Sequence, residues 1–286
     1  MKKASAILAS LCWLAACATP PDVQRAPDFR MSGDRIFLPA AVNGHPVEAL
    51  LDSGAEMTLV DDAFAEEIGL VGAGQEEVRG TGAGTQDVQF AEGVEVAAAG
   101  SVLPDQVVVI IDLADVSRRL IGEPLRAVVG RELFDGGRYL LDVDAGLFRK
   151  VSQDIQPGGI ELPLSDANGI KQVPVRINGG EAVKADFDLG NGSEILLSRD
   201  FAERTGLLAE GNIVGSKQGG GIGGPVEHTL VRVKTLSLGG VDLHDLVAAV
   251  GESSDAADVN IGTSVWREFR LVIDFPQNKV WLEPLS

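Results

Sequence analysis

Leu50-Leu51-Asp52-Ser53-Gly54-Ala55 is the stretch that decides the fold, because a diverged copy, Asp186-Phe187-Asp188-Leu189-Gly190-Asn191, returns in the second half of the chain. A single Asp-Ser-Gly is most often an ordinary turn in which the side chain bonds its own backbone. Two of them in matching surroundings point to an internal repeat that brings two carboxylates to one shared site.

The surroundings match over roughly 110 residues per half. Val42-Asn43-Gly44 precedes the first quartet and Ile177-Asn178-Gly179 the second, so each Asp ends the second strand of a hairpin. A short apolar run follows, Thr58-Leu59-Val60 or Ile195-Leu196-Leu197, and then a helical pattern, Asp61 to Leu70 or Arg199 to Leu207. Phe-Ala-Glu occurs in both helices, and Gly69 and Gly206 stand where a left-handed residue ends a helix. Glycine clusters come next, Gly80-Thr81-Gly82-Ala83-Gly84 and Gly219-Gly220-Gly221-Ile222-Gly223-Gly224. Ala127-Val128-Val129-Gly130 and Val259-Asn260-Ile261-Gly262 then lead into the apolar runs ending at Asp142 and Asp274, which are read as turn-stabilising residues.

The first residues read as a targeting segment. Lys2 and Lys3 precede an apolar run from Ala4 to Leu14 that is too short to span a bilayer comfortably. Leu14-Ala15-Ala16-Cys17 is similar to a bacterial lipobox, which makes 1–16 a signal peptide and Cys17 the lipidated first residue of the mature chain. Ordinary secretory cleavage within Ala16-Cys17-Ala18 is the alternative. Cys12 is discarded in both cases, so no intrachain disulfide is expected. The expected location is the periplasmic side of a bacterial envelope, with membrane contact through the lipid anchor alone; Ala18 after the cysteine points to the outer membrane. The formal charge of −18 leaves no basic face for phosphates, so nucleic acid is not an expected partner.

Residues 17–28, with Thr19-Pro20-Pro21, read as a tether, 29–151 as a first lobe, 152–159 as a linker and 160–286 as a second lobe. Strand-length Val, Ile and Leu runs separated by Asn-Gly and Gly-Gly turns dominate both lobes, which predicts an all-β architecture with few short helices. Two lobes in one chain predict a monomer. The glycine clusters sit in no strand-helix alternation and no lysine follows them as in a phosphate loop, so a nucleotide site is disfavoured. Tips of β-hairpins are the preferred reading, with a plain surface loop as the alternative. His45, His228 and His244 lack metal-ligand spacing, and Ser53 and Ser264 lie in no nucleophile elbow. No metal or cofactor is expected, and any chemistry falls to carboxylates.

Two carboxylates in hydrogen-bonding contact resist simultaneous ionisation, so such a pair retains one proton and titrates as a unit. The ionised member can then take a proton from water while the protonated member polarises a carbonyl. At Asp52-Ser53-Gly54-Ala55, Val128-Val129-Gly130 and Asn260-Ile261-Gly262 the chain resembles the aspartic proteases, specifically the retropepsin-like proteins of bacteria. The resemblance implies two acid-protease-type β-barrel lobes with the active site in the cleft between them. It implies Asp52 and Asp188 as the catalytic pair of that family's known shared-proton mechanism. Ser53, Gly54, Ala55, Leu189, Gly190 and Asn191 become the supporting loops. Gly80, Thr81, Gly82, Ala83, Gly84, Gly220, Gly221, Ile222 and Gly223 become substrate-covering flaps, and the substrate an extended peptide or protein. Leu189 departs from the family's Thr or Ser, whose hydroxyl clamps the two loops together, and Asn191 and Asn260 depart as well. An aspartic endopeptidase is the leading reading; a catalytically inactive peptide-binding protein or an envelope-assembly protein of the same fold is the alternative.

Overall fold

The computed structural model describes residues 26–167, 169–251 and 257–285. The signal peptide, Cys17 and the tether up to residue 25 lie outside the described residues. Asn43 and Gly44, with φ of 48° and 77°, fold strand Arg35–Val42 back onto His45–Leu51. Positive φ at both positions gives the turn a twist that suits a two-residue hairpin. Asn178 and Gly179, at 51° and 70°, begin the longer turn between Ile170–Ile177 and Ala182–Phe187.

Each hairpin opens a closed barrel of six strands. In the first lobe the ring runs Arg35–Val42, His45–Leu51, Ala127–Val129, Leu59–Asp61, Ser101–Ile111 and Thr85–Ala98, and the last strand pairs back onto the first. In the second it runs Ile170–Ile177, Ala182–Phe187, Val259–Ile261, Ile195–Ser198, Val241–Gly251 and Val226–Leu238, closed in the same way. Closure satisfies the backbone of the ring without an open edge. The protein is therefore mostly β, as the strand-length apolar runs predict. The helices are short: Asp62–Glu67 and Arg199–Arg204 are followed by Gly69 and Gly206 at φ of 69° and 72°. Ser198 caps the second, its hydroxyl accepting from the Phe201 amide at 3.1 Å.

Strand alternation sorts the apolar residues into two cores. Val47, Ala49 and Leu51 enter the large core that runs through both lobes, whereas Leu50 faces the other way and joins a second cluster with Phe37 and Val128. A five-stranded sheet ties the lobes together, with Arg138–Asp142 of the first half antiparallel to Phe269–Asp274 of the second. Asp142 and Asp274 do hold turns, accepting from the amides of Ala145 at 2.9 Å and Gln277 at 3.1 Å. They also exchange ion pairs across the sheet, Asp274 with Arg138 at 2.8 Å and Asp142 with Arg270 at 3.0 Å. Spacing gave no hint of that crossed pairing.

Candidate active site

Each aspartate is positioned by the strand behind it. His45–Leu51 runs parallel to Ala127–Val129, and the ladder extends by one bond as the Asp52 amide donates to the Val129 carbonyl at 3.0 Å. The second lobe repeats this with Asp188 and Ile261 at 3.1 Å. The chain then turns tightly, so that Asp52 Oδ1 accepts from the amides of Gly54 at 2.8 Å and Ala55 at 3.1 Å. Asp188 Oδ1 accepts from Gly190 and Asn191 at the same two distances. Gly130 passes so close beneath the first loop that a Cβ there would overlap the Met57 backbone, and Gly262 passes beneath Asn191 likewise.

The two loops bring their carboxyl groups together. Asp52 and Asp188 face one another closely enough to share a proton, and both keep a partly exposed face. Glycine is required for the approach: a Cβ on Gly54 would stand 2.9 Å from Asp188 Cγ, and one on Gly190 would overlap the Asp52 carboxyl group. Burial, followed by the facing Asp188 charge, holds Asp52 well above the ordinary carboxylate range despite its two amide donors.

Across the junction, the Ser53 hydroxyl donates to the Phe187 carbonyl at 2.8 Å and accepts from the Leu189 amide at 3.0 Å. Leu189 offers no reciprocal hydroxyl. Its side chain is wholly buried in the main core, and its carbonyl accepts from Thr263 Oγ1 at 2.9 Å. Packing has thus replaced the second half of the clamp. Asn191 and Asn260, read from sequence only as departures, form a chain to the pair: Asn191 Nδ2 donates to Asn260 Oδ1 at 2.9 Å, and Asn260 Nδ2 donates to Asp188 Oδ2 at 2.8 Å.

The glycine clusters meet each other. Gly82 and Gly84 donate their amides to the carbonyls of Ile222 and Gly223, each at 2.8 Å, and the Gly221 amide donates to Thr81 Oγ1 at 2.8 Å. Gly80, Gly82 and Gly223 come so close to the opposite tip that a Cβ on any of them would overlap it. Ile222 packs against the apolar cluster of the first lobe that Ala55 and Met57 also touch. Ala83 lies at the same tip, between the two bonded glycines.

With this geometry in view, an aspartyl protease family model matches residues 38–125 and 173–265, one span on each barrel and each including one aspartate loop. The chain belongs to the aspartyl protease family. Among curated proteins, it is 33% identical over 48 residues to DNA damage-inducible protein 1 of Yarrowia lipolytica, a match covering 17% of this chain and 12% of that protein.

Three residues near the site escaped the reading of the sequence. Arg35 has its stem where a Cβ on Gly192 would fall, and its charge acts on both aspartates; burial pulls the guanidinium below its usual value. Asp186 is pushed up to about 6, first by burial, with the Asp188 charge adding and a hydrogen bond from Gln172 opposing. Arg119 reaches from the first lobe to the carbonyls of Gly219 at 3.0 Å, Gly220 at 2.5 Å and Gly221 at 3.1 Å. Only Asp186, a carboxylate inside an apolar strand pattern, left a trace in the sequence.

Proposed function

We propose that this aspartyl protease family member is an aspartic endopeptidase, acting on extended peptides on the periplasmic side of a bacterial envelope. The observation that carries the reading is the Asp52–Asp188 pair brought face to face on mirrored loops, where burial and the neighbouring charge raise the Asp52 carboxyl group well above the usual range. One carboxyl group of the pair carries the proton and the other is ionised. The ionised group takes a proton from a water whose oxygen attacks the scissile carbonyl carbon, while the protonated group gives its proton to the carbonyl oxygen. As the tetrahedral intermediate collapses the C–N bond breaks, and the group that had taken the proton from water passes it to the leaving amine. A hydroxyl of the intermediate returns its proton to the group that had protonated the carbonyl oxygen, which restores the pair. The glycine tips bond each other across the site, and on parting they free the backbone amides of Gly82 and Gly84 and the carbonyls of Ile222 and Gly223 for a peptide.

The test is digestion of a peptide library across pH 4 to 7 by the folded chain. The expected result is cleavage by the wild type and none by Asp52→Asn or Asp188→Asn, since either removes the acid–base pair. Undiminished cleavage in Asp52→Asn would sink the mechanism. Binding of extended peptides without cleavage would favour an inactive peptide-binding protein, the reading to which the missing hydroxyl at Leu189 lends support. The envelope location rests on Leu14-Ala15-Ala16-Cys17. Cys17→Ala should remain unprocessed or lose lipid labelling, and an unmodified N-terminus at Thr19 would point to ordinary secretion.

A further inference from the structure

The two lobes repeat each other's backbone but not the surroundings of their aspartates. Leu50 pairs with Phe37 on one side and Val128 on the other; Asp186, likewise two residues before its aspartate, pairs with Gln172 and Asn260. Behind Asp52 all three residues are apolar and buried in one cluster. Behind Asp188 all three are polar and hydrogen-bonded, Gln172 to Asp186 and Asn260 to Asp188, each at 2.8 Å. Asn191 fixes the orientation of the Asn260 amide, because its own N–H occupies the Asn260 oxygen and leaves the NH2 group for the carboxylate. Asp188 therefore accepts from three N–H groups, two on Oδ1 and one on Oδ2. Among the described residues Asp52 accepts from two, both on Oδ1.

We infer that Asn260 is a positioning residue that makes Asp188 the ionised member of the pair and Asp52 the proton carrier. An N–H donor stabilises a carboxylate more than a carboxylic acid, so the single negative charge settles where the third donor is. In the proposed hydrolysis, the only part of the inference that rests on that function, Asp188 takes the proton from water and Asp52 gives its proton to the carbonyl oxygen.

Two other charged groups bear on the pair. Arg35 acts on both aspartates, on Asp188 ahead of Asp52, and so favours the same placement of the charge as the Asn260 donor does. Asp186 opposes ionisation of Asp188 once it is itself charged, but its rise to about 6 keeps it largely neutral in mildly acidic solution.

Because the Asn260 donor stabilises the singly and the doubly ionised pair alike, it lowers the first step of the titration and leaves the second in place. Carbon-detected NMR titration of the aspartate carboxyl groups in the folded chain tests this without requiring activity. The Asp188 resonance should move at the first step and the Asp52 resonance at the second; the reverse order, or equal movement at both steps, overturns the inference. In Asn260→Val, which installs the residue found in the first lobe, the first step and the acid limb of kcat/KM should rise by about one pH unit with the basic limb unmoved. Val128→Asn should instead lower the second step. Equal displacement of both limbs, or none, also overturns the inference. A wild type that cleaves nothing removes the proteolytic reading but leaves the NMR titration decisive, and that titration needs no variant to fold.

Discussion

At the residue scale, Leu189 and Asp186 make opposite demands on the second barrel. Treating Leu189 as a missing clamp would predict that Leu189→Thr stabilises the junction. Its complete burial in the main core predicts the reverse. Losing the isobutyl group and burying a hydroxyl should destabilise the protein by roughly 2 kcal/mol or more, read as a lower denaturant midpoint at unchanged slope. Asp186 carries a pH-dependent penalty. Its folded-state pKa, about 6, lies above that of an unfolded aspartate, so the folded state binds more protons in the intervening range. Its contribution is most favourable below about pH 4, falls as pH rises to about 6, and is flat above. Asp186→Asn should therefore remove that decline and raise stability at neutral pH by about 2–3 kcal/mol, as measured by urea unfolding at pH 4 and 7.

At the scale of elements, the hairpins Ala73–Arg79/Thr85–Ala98 and Ile213–Gly219/Val226–Leu238 extend beyond their barrels and join at their glycine tips. Closed tips must part, or admit a peptide beneath them, before substrate reaches the aspartates. The junction is asymmetric, because Arg119 from the first lobe grips three carbonyls of the second tip while paired with Asp115 at 2.7 Å. A hydrogen bond from a charged donor contributes about 1.5–3 kcal/mol, so Arg119→Ala should speed amide exchange at Gly82, Gly84 and Gly221 by about tenfold or more. Exchange that stays at the wild-type rate would show that the tips hold each other without the arginine.

At the scale of the whole molecule, the lobes are fastened through the shared sheet by two ion pairs in different surroundings. Arg138 and Asp274 are 4% and 0% exposed, whereas Arg270 in the mirrored pair is 44% exposed. Removing one partner of a buried pair strands a charge, so Asp274→Ala should cost about 3–5 kcal/mol. Asp142→Ala should cost less, because water can solvate Arg270 once its partner is gone. Comparing the two variants by chemical denaturation checks the difference, and equal losses would contradict it.

The sequence by itself determined whatever depends on neighbouring residues. The Asn-Gly turns, the strand ends at Asp52 and Asp188, the glycines of the aspartate loops and the twofold repeat were all legible, because backbone conformation and strand alternation are set locally. Family resemblance supplied the expectation that the two aspartates meet. Only the tertiary structure decided what the long polar side chains do: Arg119 on the opposite glycine tip, Arg138 on Asp274, Arg35 beside both aspartates, and Asn260 on Asp188. These contacts join residues far apart in the chain, and they exist because closing two barrels buries groups that must then find a partner or remain unpaired at a cost. A residue type announces that it needs a partner, but which partner it meets is fixed by the packing of the whole chain.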